Sequence, residues 1–166
     1  MSRLDHMLRR LHAQRACLNR AVELVASIDG VVLELGLGNG RSYDHLRELL
    51  PTREIYVCER EVAAHPDCIP PDNKLLVGDL RETLPRARPW LAGKVALLNI
   101  DLGTGNAAEH KTIAAEVLPL VMPLLKPGSI IASDLELESG ELEELPLPEA
   151  IPMGPVGRYQ LYRRRL

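Results

Sequence analysis

Apolar residues recur at three- and four-residue steps through the first part of the chain: Leu4, Met7, Leu8, Leu11, Leu18, Ala21, Val22 and Val25. That is the period of an amphipathic helix, and it predicts one over residues 3–27 with Ser2 as its N-cap. The stripe thins at residues 14–17, where a break is expected. Ile28-Asp29-Gly30 then ends the helix. Beyond it the pattern changes to short, β-prone apolar runs at residues 31–35, 55–58, 74–77, 95–100 and 129–132, which read as strands. Helix-period segments lie between some of them, at residues 42–50, stopped by Pro51, and at 106–125, with a break expected at Pro119. Pro66, Pro70 and Pro71 forbid a long helix over residues 62–73. Residues 136–149 are acidic and punctuated by Gly140, Pro146 and Pro148, and read as a solvated loop with one helical turn at most. Residues 157–164 alternate and read as a closing strand. The order predicts one α/β domain: an open, mostly parallel, doubly wound sheet with helices on both faces.

The most informative stretch is Val31-Val32-Leu33-Glu34-Leu35-Gly36-Leu37-Gly38-Asn39-Gly40-Arg41-Ser42. A strand runs into three glycines at alternate positions and then a helix start, an arrangement that suits an anionic or nucleoside ligand. Glycine permits positive φ and close approach of backbone to ligand. The dinucleotide fingerprint is G-x-G-x-x-G. Here Gly40 comes one residue early and Arg41 stands where that fingerprint has glycine. A Glu34 carboxylate pointing into the turn would repel a pyrophosphate and attract an amino-bearing or cationic ligand. Glu59 follows the second strand, about twenty residues on, where an acid can accept from both hydroxyls of a ribose.

At this point the chain resembles the class I S-adenosylmethionine (SAM) methyltransferases, whose first motif, (D/E)-x-G-x-G-x-G, is matched by Glu34 to Gly40. Gly78-Asp79-Leu80 resembles the family's adenine-side motif, and Leu125-Lys126-Pro127-Gly128 its turn into strand five. The resemblance implies a Rossmann-like sheet with an antiparallel C-terminal strand beside strand five, preceded by an N-terminal helical segment, residues 1–29, within a single domain of residues 1–166. It implies that Glu34, Gly36, Leu37, Gly38, Asn39 and Gly40 hold the methionine part of SAM. Glu59, with Arg60 beside it, would hold the ribose, and Gly78, Asp79 and Leu80 the adenine. Asp79 has a second reading as a helix N-cap. Asp101 ends strand four at the switch point of the sheet, where ligands sit; it is assigned to the cofactor and to the acceptor side. His110 is a second base candidate. Such an N-terminal helix often packs near the acceptor site, so His6, His12 and Gln14 are candidates for a pocket lining. More narrowly, the short length and the N-terminal segment look like a small bacterial group of methyltransferases with no assigned substrate.

Composition narrows the acceptor. The 166 residues carry a net charge of −3, which gives no basic field for nucleic acid. Tyr43, Tyr56, Trp90, Tyr159 and Tyr162 are the aromatics, and there is no Phe, a poor supply of base-stacking platforms. A small-molecule acceptor is expected. Three cysteines without a C-x-x-C indicate reduced thiols and a cytoplasmic protein. No apolar run is long enough for a membrane span. The N-terminus lacks the apolar core of a secretory signal; it is Arg-rich like a transit peptide, but its pattern runs straight into the domain. The amphipathic first helix offers its stripe to its own sheet or to a partner chain, and a homodimer or larger homo-oligomer is expected.

Three alternatives compete. Asp101 and Asp134 end strands four and five, where metal-dependent catechol-type O-methyltransferases place carboxylates that bind Mg²⁺; Leu135 stands where that family has Asn. A non-catalytic SAM-binding interaction module would keep the pocket without the chemistry. An NAD-linked enzyme ranks last, on the glycine spacing.

Overall fold

The computed structural model describes residues 2–104, 106–149 and 159–166. Helix α1 spans Arg3–Val25 without a break. Ser2 caps it: its hydroxyl accepts from the Asp5 N–H at 3.0 Å, and its own N–H donates to Asp5 Oδ2 at 2.9 Å. The break expected at residues 14–17 is absent because that part of the stripe is built of small residues. Ala13, Cys17 and Ala21 are buried beside Leu18 and Val25 and bring the helix close to the sheet.

The described strands form one seven-stranded sheet: β1 Val31–Leu35, β2 Ile55–Glu59, β3 Leu75–Val77, β4 Val95–Ile100, β5 Leu125–Ser133, β6 Leu142–Leu145 and β7 Gln160–Arg164. Their order is β3-β2-β1-β4-β5-β7-β6. Strands β1 to β5 pair in parallel, while β7 is antiparallel to both β5 and β6. Helix α2 spans Arg41–Leu49, α3 Leu80–Leu91 and α4 Ala107–Val121. The apolar positions of α1 and α2 pack on one face of the sheet and those of α3 and α4 on the other. All six residues of β4 are buried, as expected of a central parallel strand covered on both sides. This is the doubly wound arrangement expected, with the antiparallel closing strand in place.

Three differences have local causes. Residues 136–149 are not simply a solvated loop. Leu142 and Leu145 turn inward while Glu143 and Glu144 face solvent, and the segment pairs as edge strand β6. A four-residue Leu-Glu-Glu-Leu run does not alternate, so periodicity alone could not find it. Strand β5 begins at Leu125, earlier than the apolar run. Helix α4 runs through Pro119 and ends in a 3₁₀ turn, Met122–Leu124. The first positions of the expected closing strand, residues 157 and 158, lie outside the described residues. Among the described residues, no helix is long and apolar enough to cross a membrane.

Candidate functional site

The strand order reverses between β1 and β4, so the loops after these two strands diverge and leave a crevice. Gly36, Gly38 and Gly40 line the first loop at φ of 88°, 50° and 83°. A Cβ at Gly36 would lie 2.4 Å from the Asp101 carbonyl oxygen, and one at Gly40 would lie 2.4 Å from the Cys68 Cβ. These two glycines are required by the packing of the protein itself. A Cβ at Gly38 would meet nothing within 4 Å; its side of the turn opens onto a cavity.

Glu59 ends β2 and holds this turn. Its Oε2 accepts from the N–H groups of Leu37 (2.7 Å) and Gly38 (3.0 Å), and its Oε1 from those of Arg60 (2.7 Å) and Glu61 (3.2 Å). Partial burial pushes its pKa up, but the four backbone donors outweigh it and hold the carboxyl below its ordinary value. Arg60 is exposed, and the hydrogen bond it gives Glu59 comes from its backbone.

Two cavities flank the turn. One, of about 300 Å³, has Gly36, Glu59, Gly78 and Asp79 at its polar end and Leu80, Leu102 and Ile113 among its apolar walls. Asp79 caps α3: its carboxylate accepts from the Arg81 N–H at 2.8 Å and takes the Arg81 guanidinium at 3.0 and 2.9 Å. The Arg81 side chain and amide hold its pKa down at about 2. The capping reading of Asp79 is therefore realised, and both of its carboxylate oxygens are engaged by Arg81.

The other cavity, of about 180 Å³, is polar and lies between α1 and the turn, with Arg10, Gln14, Gly38, Asn39, Arg41 and Asp101 in its lining. Asp101 Oδ1 accepts from Arg10 at 2.5 Å and Oδ2 from Gln14 at 2.8 Å. Of the α1 candidates, Gln14 is buried at this site, while His6 and His12 are exposed on the outer face of the helix.

Glu34 lies beneath the turn with no exposure, so it presents no open charge to a ligand. Its Oε1 accepts from the Ser42 hydroxyl and from Asn99 Nδ2 at 3.3 Å; its Oε2 is buried without a partner. Burial raises its pKa to about 8, against the lowering effect of the Ser42 hydrogen bond. From Glu34 a buried polar chain leads to Asp101. The Tyr159 hydroxyl donates to Asn99 Oδ1 at 2.5 Å and accepts from Gln14 at 3.4 Å. Burial pushes the Tyr159 hydroxyl pKa well above its ordinary value.

Asp134 ends β5 close to Asp101. Its oxygens accept from the N–H groups of Leu102 (3.1 Å) and Gly103 (2.7 Å), and burial together with the Asp101 charge lifts its pKa to about 6. His110, one turn into α4, packs on the same loop: its Nε2 is 3.2 Å from the place a Gly103 Cβ would take. Among the described residues no three His, Cys, Asp or Glu side chains converge to hold a metal. An arginine on Asp101 and backbone donors on both Asp134 oxygens do not fit a divalent cation.

Sequence reasoning missed Arg10, Ser42, Asn99 and Tyr159. Asn99 carried a signal, as a polar residue inside the apolar run of β4. Arg10 and Tyr159 carried none, since nothing local ties them to residues far along the chain.

The chain is similar to known proteins along almost its whole length. A crystal structure of an S-adenosyl-L-methionine methyltransferase from Silicibacter pomeroyi DSS-3 is 44% identical, covers 99% of each chain and superposes with a TM-score of 0.90. Two others share the fold. A protein of Escherichia coli named as a methyltransferase, YhhF, has 13% identity, covers 92% of this chain and 85% of its own, and gives a TM-score of 0.60. The antibiotic-resistance methyltransferase Kmr has 17% identity, covers 91% and 92%, and gives 0.51. No protein with a curated description matches. The sequence profile of the S-adenosyl-L-methionine methyltransferases matches residues 1–164, and the chain belongs to that family.

Proposed function

We propose that the protein transfers the methyl group of SAM to a small-molecule acceptor that enters beside α1. The observation that carries this is the pair of cavities on either side of the Gly36–Gly40 turn, one walled by leucines and isoleucine, the other by charged and amide groups. The residues fit the nucleoside. Leu80, Leu102 and Ile113 suit the adenine faces, and Glu59 stands at the rim where ribose hydroxyls would compete with loop amides for its oxygens. The buried Glu34 carboxyl, whose Oε2 has no partner, leaves one polar atom unpaired beneath the turn. SAM supplies an electrophilic methyl on a sulfonium. In the transfer, an acceptor lone pair forms the bond to the methyl carbon as the carbon–sulfur bond breaks, and a proton leaves the acceptor to a base or to water. Holding the reactants in line contributes roughly 7–11 kcal/mol. Asp101, held by Gln14, is the orienting group between the cofactor and the acceptor side, and His110 is the base candidate.

The metal-dependent reading finds no support in the donor set of Asp101 and Asp134, and transfer unaffected by EDTA is expected. The test is calorimetry with SAM, its product S-adenosylhomocysteine (SAH) and NAD, followed by incubation with labelled SAM and a cell extract separated by size. SAM and SAH binding with label in the low-mass fraction supports the proposal. Label in macromolecules overturns the acceptor class. Binding with no transfer favours the interaction module, and NAD binding without SAM binding overturns the whole reading.

A further inference from the structure

In the polar cavity beside the glycine turn, the Arg10 guanidinium and the Asp101 carboxylate face each other as an ion pair. Arg10 reaches from α1 to Asp101 Oδ1 at 2.5 Å, across 91 positions of sequence. Gln14 holds the other oxygen at 2.8 Å and is itself backed by the Tyr159 hydroxyl at 3.4 Å. The Arg10 side chain is 43% exposed and the Asp101 side chain 20%, so this pair is reachable from solvent on the arginine side. Ion pairs of such exposure contribute little to folding, and exchanging this one for another partner costs the fold little.

An α-amino acid end carries one carboxylate and one ammonium. It is the charge-for-charge complement of an arginine and an aspartate. We infer that the Arg10–Asp101 pair is a stand-in for the amino-acid end of the sulfonium nucleoside: on binding, Arg10 takes the α-carboxylate and Asp101 the α-ammonium. The inference rests on the SAM reading above. The charge count of the pair closes, because one internal pair becomes two pairs with the ligand and neither Arg10 nor Asp101 is left alone. The planar fork of arginine matches a carboxylate. Gln14 stays on Asp101 Oδ2 and keeps the carboxylate aimed while Oδ1 changes partner. Arg41 lines the same cavity from the first turn of α2, but the guanidinium bonded to Asp101 is that of Arg10. Arg10 thereby becomes a specificity-determining residue that selects nucleosides bearing a complete amino acid.

The test needs no acceptor. Purified full-length protein is titrated calorimetrically with three nucleosides: SAH, 5′-(3-aminopropylthio)-5′-deoxyadenosine, which keeps the amine and lacks the carboxylate, and 5′-methylthioadenosine, which lacks both. Arg10→Met is expected to weaken SAH by ~10- to 100-fold, the range of a lost charge-assisted hydrogen bond, to leave 5′-methylthioadenosine within about twofold, and to bind the aminopropyl compound at least as tightly as the wild type does. Asp101→Asn is expected to weaken SAH and the aminopropyl compound and to spare 5′-methylthioadenosine. Arg10→Lys keeps the charge without the fork, and its SAH affinity is expected between the wild type and Arg10→Met. The inference is overturned if Arg10→Met weakens all three ligands alike or none of them. It is also overturned if the wild type binds 5′-methylthioadenosine as tightly as SAH, or if Arg41→Met rather than Arg10→Met removes the SAH preference. Failure of the wild type to bind any of the three nucleosides overturns the SAM reading itself, and this inference with it.

Discussion

Glu34 gives the sharpest physical prediction, because its environment reverses the usual behaviour of an acid. It is fully buried, and burial raises its pKa from the ordinary 4.5 to about 8. The folded state therefore holds a proton that the unfolded chain releases. A group with a raised folded-state pKa contributes stability that is complete below the unfolded value and is lost as pH rises through the folded value. For Glu34 the window runs from 4.5 to about 8. At pH 7 the loss is roughly 3 kcal/mol, at 1.36 kcal/mol for each pH unit above the unfolded value. Glu34→Gln removes the titration and keeps an oxygen for the Ser42 hydroxyl and Asn99. The Gln amide falls where Oε2 now lies without a partner, a site at which a protonated carboxyl is equally an unmatched donor. The two side chains thus carry a similar burden at pH 5. The assay is urea unfolding of both proteins at pH 5, 6, 7 and 8. The expected result is near-equal stability at pH 5, with the variant ahead by roughly 3 kcal/mol at pH 7. Asp134, raised to about 6, slopes the same way but is common to both proteins and drops out of the difference. Parallel curves, with a constant gap from pH 5 to pH 8, would refute the reasoning: Glu34 would then ionise alike in the folded and unfolded chains.

Further perturbations test the loop and the buried network. Glu59→Ala leaves the N–H groups of Leu37 and Gly38 without their acceptor and removes the expected ribose contact; SAH affinity by calorimetry should fall by ~10- to 100-fold. Gly36→Ala forces a methyl to 2.4 Å from the Asp101 carbonyl, whereas Gly38→Ala meets no atom. The first should fail to fold or melt far lower, and the second should cost ~1–2 kcal/mol for its left-handed φ, both read from thermal unfolding. Tyr159→Phe keeps the ring and removes the hydroxyl between Gln14 and Asn99. A loss of ~1–3 kcal/mol in urea unfolding is expected from the buried partners left unpaired.

What the sequence determined by itself is what a short stretch of chain imposes on itself. The alternating glycines between Glu34 and Arg41 permit the positive φ of a tight turn, and all three adopt it. The apolar run of β4, broken only by Asn99, and the β-prone run of β2 needed no partner to be read as strands, and Glu59 was found by its distance from the turn. Helical period revealed α1, and Ser2 and Asp79 were legible as caps because a cap bonds to its own neighbours.

The tertiary structure decided everything that depends on distant residues sharing a face. Strand β6 exists because β7 offers an edge to Leu142 and Leu145, which no local period announces. Arg10 and Gln14 reach Asp101 because α1 packs on the face of the sheet where β4 delivers it. Tyr159 joins them because β7 inserts beside β5. The charge of Glu34 followed the same logic. In sequence it is an acid beside a glycine turn, and in the fold it is a buried carboxyl with pKa about 8, because ionisation depends on water, and packing decides where water goes.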